Sequence, residues 1–248
     1  MHKCLVALPV YNEARYLDGI LEEVCKYASE VLVVNDGSTD QTAQLLSNWP
    51  HVQVVHHLAN QGYGAALKSA FSYSIQQRCD CLVTLDCDGQ HQPQRIPHFI
   101  QASQHADIVS GSRYLKKYEG DSQPPSDRMN INFTITQELN SLLHLDGTDA
   151  FCGFKAYQVA ALERLDIQDN GYAMPLEVWV QAAMLGMRII EEPVPLIYLD
   201  LSRSFGGALD DGQQRLRYYR QCIDRSVAVM QQRGHHLPSP QSSLSASN

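Results

Sequence analysis

No stretch of this chain is apolar for the roughly 20 residues that a membrane-spanning helix needs, which excludes a helical membrane span within its 248 residues. The start, MHKCLVALPVYNEA, has an apolar part of only Cys4 to Val10 and runs straight into Tyr11-Asn12-Glu13, so it reads as a buried first strand rather than a signal peptide. A cytoplasmic protein, peripheral at most to the cytoplasmic face of the membrane, is expected. None of the seven cysteines forms a C-x-x-C pair, which argues against a structural zinc site and for reduced thiols. A basic excess is also missing. Lys and Arg number 19 against 27 Asp and Glu, a net charge of −8, so no broad nucleic-acid surface is expected. There are two tryptophans, Trp49 and Trp179, which read as packing residues, and there is no internal repeat.

What is present is an ordinary globular composition, 44% hydrophobic and 19% charged. Along the first hundred-odd residues strand and helix signals alternate. Strands are expected at Cys4–Leu8, Val31–Val34, Val52–Val55, Cys81–Leu85 and Ile108–Val109. Helices are expected at Tyr16–Tyr27, through Leu45-Leu46, and at Gly62–Gln77. Such alternation predicts βαβ units and a mainly parallel sheet flanked by helices, an α/β fold. The second half is less regular. Lys116–Asp127 reads as a mobile loop, Met129–Leu143 and Leu176–Leu185 as helices, and Arg188–Leu201 as extended chain. Arg215–Gln232 reads as an amphipathic helix. A single domain over 1–235 is expected, with a nucleotide-binding half to about 115 and an acceptor half beyond, then a disordered tail over 236–248.

Three polar motifs fall just after strands: Pro9–Glu13, Asn35–Asp40 and Asp86–His91. In open α/β sheets ligands bind beyond the carboxyl ends of the strands, so the three predict one common site. In LVTLDCDGQHQP, Asp86 and Asp88 stand one residue apart, and two like charges so close call for a cation. Magnesium takes one or two carboxylates plus substrate phosphates, and Asp88 and Gln90 can offer oxygens to one ion. The bland alternative is a pair of solvated acids in a turn.

Taken together, PVYNEARYL (9–17), VLVVNDGSTDQT (31–42), NQGYGAALKSAF (60–71), LVTLDCDGQHQP (82–93), DIVSGSRY (107–114), DAFCGFKAY (149–157) and EEPVPLIY (191–198) resemble the family 2 glycosyltransferases, above all their polyprenol-phosphate mannosyl- and glucosyltransferase branch. The resemblance implies the GT-A fold, a nucleotide-sugar donor such as GDP-mannose or UDP-glucose, and a divalent metal, Mg2+ or Mn2+. It assigns Pro9, Tyr11, Glu13, Asp36 and Asp86 to the nucleotide, and Asp86, Asp88 and Gln90 to the metal. Arg113, Arg128 and Arg203 fall where that branch holds the acceptor phosphate. The chain departs from the pattern at Asn35, where an acid is usual, at Tyr63, where a Lys is common, and in lacking C-terminal membrane helices.

The implied reaction is inverting displacement at the anomeric carbon, with Asp88, Arg113 and Glu177 as catalytic candidates. A polyprenyl phosphate acceptor is already ionised and needs no strong base, and guanidinium forks suit its oxygens. A hydroxyl acceptor would need a carboxylate base, for which Glu177 and Asp149 are the candidates. A nucleotidyltransferase and a non-catalytic nucleotide-sugar-binding subunit are the remoter alternatives. His91 reads as a partner of the acidic motif or as exposed, and the pairs His56-His57 and His235-His236 as surface. The arginines 215, 217, 220 and 225 read as a solvated helix face. With Lys116, Lys117 and Arg128, they are also candidates for contact with anionic lipid. A membrane partner protein is a further expectation.

Overall fold

A computed structural model describes residues 2–199 and 204–239. Its elements in order are β1 Cys4–Val10, α1 Leu17–Val24, β2 Val31–Asn35, α2 Thr42–Leu46, β3 Gln53–His56, α3 Tyr63–Gln76, β4 Cys81–Thr84, α4 Ile96–Ala102, β5 Ile108–Ser112, α5 Ser126–Leu143, β6 Lys155–Gln158, α6 Val159–Leu162, α7 Met174–Met184, β7 Ile189–Pro193 and α8 Gly212–Gln232. The strands form one sheet in the order β3-β2-β1-β4-β6-β5-β7. Only β6 runs antiparallel to its neighbours; Ala156 lies beside Val83 of β4 and Val109 of β5.

The near-continuous apolar runs of β1, β2 and β4 are those of strands covered on both faces, and β2 and β4 are buried at every position. Alternate side chains divide between two cores. Val6, Leu8, Val33 and Val83 pack with Leu17, Leu21 and Val24 of α1 and with Phe99 of α4. Leu5, Ala7, Leu32 and Leu82 face Ala66, Leu67 and Ala70 of α3 and Met174 and Val178 of α7. A third core joins α5, α7 and α8 through Ile135, Leu139, Trp179, Tyr219, Ile223 and Met230.

The expected strands and long helices stand within a few residues of their anticipated places. Not expected were β6, whose four residues KAYQ carry the buried Lys155, and α4, a short helix with Pro97 in its first turn. Phe133 is 67% exposed, because the buried stripe of α5 is Ile131, Ile135 and Leu139. The loop expected to be mobile is fastened to the chain beyond β7. Asp121 accepts from the backbone N–H of Tyr118 at 2.8 Å and of Leu196 at 2.9 Å, and Ser122 donates to the Leu196 carbonyl at 2.7 Å. Among the described residues no helix is long and apolar enough to cross a membrane.

Candidate active site

Strands β1, β2 and β4 run parallel and in register, so the loops after them open on the same edge of the sheet. There they line a cleft of about 430 Å³. Pro9, Tyr11 and Glu13, then Asp36, then Asp86, Asp88 and Gln90 all reach it, joined from the second half by Arg113 and Arg128. One site residue expected from sequence does not join them. Glu177 does not line the cleft, and Arg203 lies outside the described residues.

The first two loops are strapped together. Asn12, at φ 56° in the left-handed region that Asn tolerates better than most residues, accepts from the Thr39 N–H at 2.8 Å, and its own N–H donates to Ser38 Oγ at 2.9 Å. Asp36, 2% exposed, fastens the glycine-rich turn. Its Oδ1 accepts from the Gln61 N–H at 2.9 Å and its Oδ2 from the Gly62 N–H at 2.8 Å. His57 Nδ1 lies 2.6 Å from the same Oδ1, and its Nε2 lies 2.8 Å from Ser69 Oγ. His57, expected on the surface, is thus built into the site, with 9% of its side chain exposed. Successive strand residues point oppositely; His56 instead takes a hydrogen bond from Asn35 Nδ2 at 3.0 Å. Gly62 and Gly64 are demanded by close approach. A Cβ on Gly62 would lie 2.3 Å from the Asn170 carbonyl oxygen, and one on Gly64 2.7 Å from that of Asp169.

Asp86 is held from two sides. Tyr63 donates its hydroxyl to Oδ1 at 3.1 Å, and His91 Nε2 lies 3.2 Å from Oδ2. Burial alone would raise the Asp86 pKa, but the hydrogen bond and charge of His91, the Tyr63 hydroxyl and the charge of Arg113 outweigh it and hold the carboxyl below its usual range. Gly153 makes room: a Cβ there would meet Asp86 Oδ2 at 2.3 Å. Asp88 accepts from the Gln90 backbone N–H at 3.0 Å and from Gln90 Nε2 at 2.9 Å.

These residues fit a divalent cation that also binds phosphate. Among the described residues no cluster of three or more His, Cys, Asp or Glu could hold a metal by itself. Two carboxylates and the Gln90 amide oxygen make an incomplete set of hard oxygen donors. Magnesium sites usually complete such a set with water and substrate phosphate.

Across the cleft, Arg113 is clamped by Asp149. Arg113 Nε donates to Oδ2 at 2.7 Å and Nη2 to Oδ1 at 2.9 Å, a two-pronged pair. Asp149 is fully buried and also accepts from Asn132 Nδ2 at 2.7 Å and from the N–H of Arg113 and of Phe151, each at 3.2 Å. Burial alone would raise its pKa. The charge and hydrogen bonds of Arg113, with Asn132, more than cancel that and keep it ionised. Glu191 holds this loop in turn, accepting from the N–H groups of Thr148 and Asp149 at 2.9 and 3.0 Å.

Glu177, the other carboxylate considered as a base, is 3% exposed in the first turn of α7. One oxygen accepts from the N–H groups of Gln168 and Asp169 at 2.9 and 2.8 Å, and the other from Gln181 Nε2 at 3.2 Å. It fastens residues 168 and 169 to α7; the Ala65 N–H, donating to the Asn170 carbonyl at 3.1 Å, joins the same turn to α3, and Tyr172 stands beside Tyr63 with ring centroids 5.9 Å apart. Three of the four arginines of α8 face protein carboxylates, not only water. Arg220 pairs with Glu138 and Arg225 with Asp169, while Arg215, 2% exposed, lines the cleft and pairs with Asp127. Arg215, Tyr172, Phe205 and His57 carried no local motif. Only the fold brings them here.

The sequence pattern described as Glycosyl transferase family 2 matches residues 5–166. The undecaprenyl-phosphate mannosyltransferase of Micrococcus luteus is 32% identical over 212 residues, covering 82% of this chain and 86% of that protein. The polyprenol monophosphomannose synthase of Mycolicibacterium smegmatis is 29% identical over 213 residues, covering 82% and 80%. Among solved structures, the glucosyl-3-phosphoglycerate synthase from Mycobacterium tuberculosis, in complex with Mn2+, UDP and glucosyl-3-phosphoglycerate, aligns with a TM-score of 0.66 at 16% identity, covering 96% of this chain and 81% of that one. At that identity the likeness bears on the fold, which is the GT-A type expected above.

Proposed function

Because the chain belongs to family 2 of the glycosyl transferases and is a glycosyltransferase, we propose that it moves a hexose, mannose or glucose, from a nucleotide sugar to a polyprenyl phosphate with inversion at the anomeric carbon. Asp36 and the Pro9–Glu13 loop take the nucleoside. Asp86, Asp88 and Gln90 hold a divalent cation, Mg2+ or Mn2+, which when bound offsets charge on the diphosphate leaving group. Arg113 and Arg128 hold and orient the acceptor phosphate.

The fate of the two candidate bases supports a phosphate over a hydroxyl acceptor. Asp149 is committed to Arg113 and Glu177 to backbone N–H groups. A phosphate oxygen is ionised at neutral pH and needs neither. Asp149 then orients Arg113, and the pair presents a fixed guanidinium edge. The names of the two mannosyl-transferring relatives support the same acceptor class.

The test is product analysis with purified protein, GDP-mannose or UDP-glucose, and a short-chain polyprenyl phosphate, with Mg2+, Mn2+ or chelator. A glycosyl phosphate labile to mild acid, formed with one donor and lost on chelation, is expected. Transfer only to hydroxyl acceptors, or full turnover in chelator, would refute the proposal.

A further inference from the structure

Phe205 stands between two arginines. Its ring centroid is 4.9 Å from Arg128 Cζ and 4.4 Å from Arg215 Cζ, and it stands perpendicular to the Tyr172 ring with centroids 5.2 Å apart. Arg215 is the unexpected member. It sits near the start of α8, where the helix dipole disfavours a cation. It is nonetheless buried, with 3% of its side chain exposed against 59% for its partner Asp127. Nη2 donates to Asp127 Oδ2 at 2.9 Å and Nη1 to the Leu209 carbonyl at 3.1 Å. A guanidinium has five N–H donors, so these two bonds leave donors over. Among the described residues its one ion-paired carboxylate is mostly in water, so this buried cation is poorly compensated, and its remaining reach is into the cleft that it lines.

We propose that Arg215 is a further acceptor-binding residue, which with Arg128 grips the acceptor phosphate, and that Phe205 occupies their shared place until the phosphate displaces it. This rests on the acceptor class given above. A ring between two guanidinium groups is held by cation–π attraction, which a phosphate replaces with stronger charge-assisted hydrogen bonds. The chain beside Phe205 is built to turn. Gly206 and Gly207 have φ of 89° and 58°, and a Cβ on either would meet nothing within 4 Å. The backbone there needs glycine, and Asp210 ties the turn, accepting from the Phe205 N–H at 2.9 Å and from Ser204 Oγ at 2.8 Å, bonds that a displaced Phe205 exchanges for water. The chemistry recognised is a phosphate monoester dianion, whether on a lipid or free.

The experiment compares wild type with Arg215→Met, Arg215→Lys, Asp127→Asn and Phe205→Ala, reading the KM for donor and for polyprenyl phosphate separately. Thermal stabilisation by inorganic phosphate and by short-chain polyprenyl phosphate is read alongside. Arg215→Met is expected to raise the acceptor KM about tenfold or more, the scale of one lost charge-assisted contact, with the donor KM little changed. Arg215→Lys should lie between, and Phe205→Ala should lower the acceptor KM. Stabilisation by phosphate should weaken in Arg215→Met; protection by both probes marks the phosphate itself, and protection by the lipid form alone marks the lipid-borne group.

Asp127→Asn guards against a purely structural role for the ion pair. It removes the same salt bridge but leaves the guanidinium, so its acceptor KM should stay within about threefold of wild type or fall. An unchanged acceptor KM in Arg215→Met overturns the proposal. So does a rise in acceptor KM of about tenfold or more in Asp127→Asn, a reading that also decides the matter if Arg215→Met fails to fold. A wild type that makes no glycosyl phosphate at all refutes the function proposed above, a separate result.

Discussion

Asp149→Asn separates the two roles open to that carboxylate. In the structure it is a clamp: fully buried, it receives five hydrogen bonds, three of them from Arg113. Replacing it with an amide leaves the Arg113 guanidinium facing an N–H2 group where it had a charge. Removing one member of a buried ion pair costs about 3–5 kcal/mol. Arg113 keeps 16% of its side chain in contact with solvent, which lets water reach the orphaned cation. The lower end, ~3 kcal/mol, is therefore expected. For a chain of this length that is a fall in Tm of roughly 6–12 °C. Calorimetry and urea unfolding measure it directly.

The pH dependence supplies a second check. Asp149 has its pKa depressed in the folded state, so the stability it confers is complete above the unfolded carboxylate pKa of about 4 and is lost as pH falls through the folded value. The gap between wild type and Asp149→Asn should therefore hold at neutral pH and close in acid below about pH 4. A catalytic base would behave differently, with kcat down by about 10²- to 10⁴-fold and stability nearly intact. That pattern, with Tm unchanged, would refute the clamp and reopen the hydroxyl acceptor.

Glu177→Gln should destabilise by about 1–3 kcal/mol, since the amide cannot replace both acceptor oxygens for buried N–H groups, and urea titration reads the change. Its kcat should stay within about tenfold of wild type; a loss of 10²-fold or more at full stability would restore Glu177 as a base. Gly153→Ala drives a methyl into Asp86 Oδ2, so donor affinity measured with Mn2+ should fall about tenfold or more while the far-ultraviolet dichroism is kept. Unchanged affinity would show that Asp86 is not needed where it stands.

Some of the site was legible early because its chemistry is local. A carboxylate one residue from another, at the end of an apolar run, declares itself in LDCDGQ. Parallel strands put such loops on one edge of the sheet, so Pro9–Glu13, Asn35–Asp40 and Asp86–His91 were expected together and are found together. The strands and long helices were legible for the same reason, since burial on one or both faces leaves a period in the chain. β6 leaves none, because its four residues KAYQ are too few to show a period and include the buried Lys155.

The sequence by itself determined the order of the elements, the family, and which residue types could meet a cation and a phosphate. Only the tertiary structure decided which charges were already spent. Asp149 and Glu177 look alike in the sequence as candidate bases, yet one neutralises Arg113 and the other holds a turn. Arg215 and His57 look like surface residues, yet packing of α8 buries the one against the cleft, and the fold sets the other between Asp36 and Ser69. The physical reason is that a charged group acts through its distance to other charges and its exposure to water. Between residues many positions apart, both are set by packing.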